Sequence, residues 1–201
     1  DSNSCLMKLG MIGETVVNLM FTYDRITLPA ENTAVNRIVV LFREGLLTQD
    51  LVDILHALRK VRNKAVHENY ASVADGKVLL QMAHSLCEWF MQTYGDWNYK
   101  NKPFILPADL PVEASTDTGA EQEHEKQLSK EAEEKAAASD SVAKEKRRQQ
   151  ATRAASQRQK TEAETRYMID QQLRQVGWEA NTENLRFSKG TRPVKGRNLA
   201  I

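Results

Sequence analysis

A chain of 201 residues that is 41% hydrophobic and only 6% aromatic has apolar material for one core or two small ones, not for dense packing along its whole length. Its two cysteines, Cys5 and Cys87, exclude a disulfide framework or cysteine-based metal spacing, and their apolar helical contexts suit buried free thiols in a reducing cytoplasm. The formal net charge of +1 conceals a strong internal asymmetry, and no charged-then-apolar leader or apolar run near the ~18 residues of a membrane span is evident.

The first apolar stripe runs Leu6, Leu9, Ile12, Val16 and Leu19 or Met20 at helical spacing. A second follows the Pro29 break, with Val35, Ile38, Val39 and Phe42. Thr48 and Asp50 can cap a third helix carrying Leu51, Leu55, Leu58 and Ala65. Asp75 can cap a fourth carrying Val78, Met82, Leu86, Trp89 and Phe90, closed by Gly95. The prolines of FILPADLP forbid a helix and imply an extended strap. Four periodic helices without alternating runs predict an all-α bundle over residues 1–111. The chain opens on Asp1 rather than Met, which suggests a trimmed N-terminus.

Residues 112–160 differ in kind. They are rich in Glu, Lys, Ala, Gln and Arg, with no sustained heptad seam, and predict a charged linker, helical and solvated or else frayed. Charge shifts along the chain. Residues 1–111 hold 11 Lys/Arg against 12 Asp/Glu, residues 121–140 hold 3 against 7, residues 141–160 hold 7 against 1, and residues 161–201 hold 7 against 5. Basic charge thus gathers toward the C-terminal end, where a phosphate backbone would require it, although a charge run also keeps a linker soluble.

Residues 161–201 open with Thr161 and Glu164 at capping-box spacing. Ile169, Leu173 and Val176 fall on one helical face, and Gly177 supplies the stop. Arg186, Lys189, Arg192, Lys195 and Arg197 then follow with no acid among them, interrupted by Gly190, Pro193 and Gly196, so they spread along an extended or turning chain that suits duplex phosphates. Asn-Leu-Ala-Ile reads as a strand beginning.

The run ETRYMIDQQLRQVGW, followed by NLRFSKGTRPVKGRNLAI, resembles the start of the nuclease domain in restriction (motor) subunits of type I restriction-modification enzymes. Residues 1–111 resemble, more weakly, the helical domain that precedes that nuclease. The resemblance implies a mainly α fragment: a helical-bundle accessory domain (1–111), a charged linker (112–160), and the first helix and incipient strand of a truncated α/β restriction-endonuclease-like domain (161–201). It implies a cytoplasmic enzyme that uses Mg2+ for cleavage and ATP for translocation. Its partners would be double-stranded DNA and the methylation and specificity subunits. Glu162 or Glu164 would be the first-helix acid, the capping box tilting the choice to Glu162. The Asp and Glu-x-Lys metal-binding residues are missing from the sequence, so the fragment is expected to hold no metal or cofactor and to be inactive alone.

A second resemblance lies inside the bundle. RNKAVH matches the Arg-x4-His signature of the HEPN superfamily, four-helix domains that include metal-independent ribonucleases. It implies that His67 would act as general base or acid, with Arg62 stabilising the phosphorane and Asn63 sharing the helical face of His67. The same residues can instead tie a helix end to its neighbour, and that structural or binding use is the preferred reading. A non-catalytic interaction module is the third alternative. His56 and His84, beside apolar stripes, read as satisfied helix histidines.

Overall fold

The computed structural model describes residues 1–106, 127, 130, 141–158, 160–182 and 184–200. Expectations for the Pro107 and Pro111 strap and for most of 112–140 lie outside these residues. Among the described residues the fold is mainly α, with six helices and two short strands. The bundle comprises α1 (Ser2–Asp24), α2 (Ala34–Arg43), α3 (Gln49–Glu68) and α4 (Val73–Phe90), the last running into a π turn, Met91–Gly95. Helices α5 (Ser141–Ser156) and α6 (Glu162–Gln175) follow, then β1 (Glu179–Ala180), a 3-10 turn (Phe187–Lys189) and β2 (Leu199–Ala200).

Local chemistry sets the boundaries. Asp1 caps α1 by accepting from the Asn3 N–H, and Arg25, in the left-handed region at φ 49°, ends it. Ser72 rather than Asp75 caps α4, accepting from the Asp75 N–H, while Asp75 accepts from the Tyr70 hydroxyl at 2.8 Å. Thr48 stands at the α3 N-cap without a side-chain capping bond.

The core is a layer of fully buried side chains from four helices and the α2–α3 turn, including Leu6, Met20, Leu41, Leu46, Leu58, Met82, Leu86 and Trp89. In α2 the buried positions are Ile38 and Leu41, whereas Val35 and Phe42 of the expected stripe face outward. The central pair is α1 on α3, brought together by glycine. A Cβ on Gly10 would lie 2.7 Å from Cδ and 2.9 Å from Cγ of Arg62, and closer still to its Cβ, where no rotation of the side chain can relieve it. By length and composition α1 could cross a membrane, against expectation, yet close to half of its most apolar window is buried in the bundle, as in a core helix.

Two further expectations are corrected. Cys5 is exposed rather than buried, although both thiols are free. More consequential is α5, which is helical and charged but not solvated over its length. Ala151 and Ala154 are buried against the bundle, and the Trp89 indole donates to the Ala151 carbonyl at 3.0 Å. Small residues let the helix backbone approach, and its arginines find acids on the bundle, so no large apolar stripe is needed.

The C-terminal elements are compact. Gly177, at φ 82°, ends α6 in a Schellman turn, with the Trp178 N–H donating to the Leu173 carbonyl and the Gly177 N–H to that of Arg174. β1 and β2 pair in parallel, Glu179 opposite Leu199 and Ala180 opposite Ala200. The incipient strand is therefore present, and its partner, β1, has no periodicity that marked it.

Candidate functional site

The Arg62, Asn63 and His67 set sits late in α3. Gly10 leaves room for the Arg62 stem, and the Arg62 guanidinium forms an ion pair with Glu14 of α1. Asn63 and His67 are exposed, on another side of the helix, and His67 has no hydrogen-bond or ion-pair partner among the described residues. The structure therefore turns Arg62 onto α1 and His67 to the surface rather than bringing both to one point. His84 lies 3.8 Å from Glu88 and edge-on to Phe104. His56 departs from expectation: its Nδ1 is buried without a partner, and burial, then Arg59 and Lys60, lower its pKa.

At the start of α6, Thr161 accepts from the Glu164 N–H at 3.2 Å, half of a capping box. The reciprocal half is absent because the carboxylate of Glu164, a buried residue, is taken by Arg158. Arg158 also pairs with Asp50 at the start of α3, and its Nε donates to Ser85 of α4 at 3.1 Å. Lys160 pairs with the same Asp50. One nearly buried guanidinium thus fastens α3, α4 and α6 at a single point, and burial lowers its pKa. Glu162 is exposed and bonded to Arg166 at 3.0 Å, one helical turn on.

Asp170 accepts from the Thr182 N–H at 2.8 Å and hydroxyl at 2.9 Å, pinning the loop after β1 to α6. Glu162, Glu164 and Asp170 therefore serve separate partners. No group of three His, Cys, Asp or Glu side chains that could hold a metal occurs among the described residues. Mg2+ requires several convergent oxygens, and these carboxylates do not supply them.

The five cations after α6 are all exposed, Lys189 ending the short 3-10 segment and the others in turns or irregular chain. They are not equivalent. Arg197 is bonded to Glu179 at 2.8 Å across the strand pair, which lowers the Glu179 pKa through that hydrogen bond. Arg192 donates to the Phe187 carbonyl at 3.0 Å and lies over the Phe187 ring. Arg186 donates to the Thr182 carbonyl. Lys189 and Lys195 project without a described partner. In the same C-terminal segment the apolar side chains of Ile169, Val176, Trp178, Phe187 and Val194 are exposed. Ile169 of α6 therefore points outward, and Glu164 and Tyr167 are the buried positions.

A polar group that sequence reasoning missed lies beneath α5. Asp24 is fully buried as a side chain and accepts from Tyr94 at 2.7 Å and from Arg147 at 2.8 Å. Burial, and then the Asp24 charge, raise the Tyr94 pKa well above its ordinary value. No spacing connects residues 24, 94 and 147; the packing of the bundle brings Tyr94 to Asp24, and the docking of α5 adds Arg147.

These elements define a helical bundle with a charged helix docked on it and a short α/β segment at its C-terminal end. Over its whole length the chain is similar to the type I restriction enzyme EcoKI endonuclease subunit of Escherichia coli (strain K12), with 26% identity across a 253-position alignment. The chain spans 22% of that relative's length. No family model matches the sequence, and no solved structure matches it significantly.

Proposed function

We propose that this chain is the N-terminal region of a type I restriction motor subunit. Residues 1–111 would form a helical accessory domain, and residues 161–201 would open the DNA endonuclease. The observation that carries the reading is similarity along the entire chain, bundle and C-terminal segment together, to a relative whose name states a restriction endonuclease subunit. The C-terminal geometry agrees with it. A helix followed by parallel strands can begin a mixed α/β nuclease core, and the exposed apolar side chains of Ile169 and Trp178 are ones that further elements could cover.

In this reading the intact, cytoplasmic enzyme works with methylation and specificity subunits on double-stranded DNA, using Mg2+ and ATP. This region positions DNA and assembles the complex without completing a catalytic centre. Glu162 is freer than Glu164 to serve as the first-helix acid, because Glu164 is committed to Arg158. The ribonuclease alternative at Arg62 and His67 has less support, since Arg62 is paired with Glu14. The testing observation is the coding sequence of a longer protein continuing past Ile201. The reading requires an Asp and then Glu-x-Lys in the next stretch, followed by a Walker-type GK[ST]. A continuation lacking both would overturn it.

A further inference from the structure

A cleft of about 210 Å3 opens between α1, α2 and α3, away from the C-terminal strip. Its floor is apolar: Val17, Ile38 and Leu55 line it and are each 5% exposed or less. Its polar lining has an unbalanced charge. Glu14, the acid in the cleft, is already neutralised by Arg62. Arg37 donates to the neutral amide oxygens of Asn18 and Asn32, the latter at 2.6 Å, which aim the guanidinium without cancelling its charge. Arg59 lines the same cleft with its Nε buried and no acceptor within reach.

Shut off from solvent at its Nε, Arg59 can meet an anion only through the outer nitrogens of its guanidinium, and among the described residues no carboxylate is paired with it to offset its charge. Guanidinium N–H groups from two different helices, the Nη2 of Arg37 and the outer nitrogens of Arg59, can converge on the oxygens of a tetrahedral oxyanion. The volume corresponds to about seven waters at roughly 30 Å3 each, room for a phosphate and a small organic group rather than a drug-sized ligand. We propose that this cleft binds a small phosphate monoester, its phosphate held by Arg37 and Arg59 and its organic part lying on Val17, Ile38 and Leu55. The site is separate from the proposed nuclease segment and stands whether or not the restriction reading holds.

The test is calorimetric titration of the 201-residue chain with phenyl phosphate, inorganic phosphate and phenol. Phenyl phosphate should bind saturably at one site and more tightly than inorganic phosphate, because the ring covers the apolar floor. Phenol should not bind detectably. Arg59→Gln and Arg37→Gln should each weaken phenyl phosphate about tenfold or more, the loss of a charge-assisted hydrogen bond, whereas Lys77→Gln, at an exposed lysine of α4 that does not line the cleft, should leave it unchanged. Ala34→Glu places a carboxylate on the lip of the cleft at the first turn of α2, where an acid suits the helix, and should abolish binding in a protein that still melts cooperatively. Absence of saturable binding by either phosphate, equal binding by phenol, or undiminished affinity in Arg59→Gln or Ala34→Glu would overturn the proposal.

Discussion

The Arg147 guanidinium of α5 reaches the Asp24 carboxylate at the end of α1, 2.8 Å away, and lies over the Tyr94 ring. Asp24 has no exposed side-chain surface, so Arg147 and the Tyr94 hydroxyl stand in for the water its oxygens have lost. Arg147→Ala should therefore destabilise the fold by about 3 kcal/mol or more through the stranded carboxylate. Asp24→Asn with Arg147→Ala together should cost less than Arg147→Ala alone. Hydrogen exchange should show 141–156 losing protection first in the single variant; protection equal to that of the parent would refute the docking.

The Arg158 hub gives a second expectation. Arg158→Ala leaves Glu164 buried and Asp50 short of a partner, with an expected loss of about 3–5 kcal/mol in denaturant unfolding. Glu162→Gln, which removes only an exposed helical pair, should change stability by less than about 0.5 kcal/mol. Similar losses for the two would show that the hub does not hold the helices together.

Gly10→Ala should cost about 1–3 kcal/mol, because its methyl meets the base of the Arg62 side chain rather than a movable tip. Gly13→Ala meets Leu58 at 3.5 Å, an ordinary contact, and should be much milder. Thermal melts of the two variants side by side decide whether Gly10 sets the approach of α1 to α3.

The bundle and much of the C-terminal segment were legible because their signals are local. Leu6, Leu9, Leu55 and Leu58 repeat at helical spacing, and Gly177 after Val176 marks a helix stop. Residues whose partners lie far along the chain were not legible. Glu164 looked like the second half of a capping box, yet it is drawn away by Arg158, a buried charge that outweighs an exposed N–H. The α5 helix read as solvated because its buried positions are alanines and its contacts are arginines, residues that look the same on a free helix. In α6 the apolar Ile169 faces solvent while Glu164 and Tyr167 face the bundle, since hydropathy alone does not reveal where a partner surface lies.

Stability should fall at both extremes of pH for separable reasons. Tyr94 has a raised folded pKa, so its contribution is present below the ordinary tyrosine value near 10 and is lost as pH rises above it. His56 has a lowered folded pKa, so its contribution is present above the ordinary value of 6.5 and is lost as pH falls below it. Tyr94→Phe should flatten the alkaline limb of stability against pH, and His56→Gln the acid limb. A limb left unchanged by its own substitution would remove that residue from the account.

The basic strip should bind duplex DNA weakly and without regard to sequence. Lys189 and Lys195 are free to meet phosphates, whereas Arg197 must first leave Glu179, so the log–log salt slope should be roughly 2 to 3 at about 0.9 per phosphate. Changing Arg192, Lys195 and Arg197 together to Ala should abolish this binding in a gel-shift titration. Unaltered binding at low and moderate salt would take the strip off the DNA.

The central claim is tested most directly by cleavage. A longer protein containing this chain, assembled with its methylation and specificity subunits, should cut unmodified double-stranded DNA only when both Mg2+ and ATP are supplied, and residues 1–201 alone should cut nothing. RNA cleavage by residues 1–201 in EDTA that disappears in His67→Ala, with no DNA cleavage by the assembled longer protein, would contradict the account.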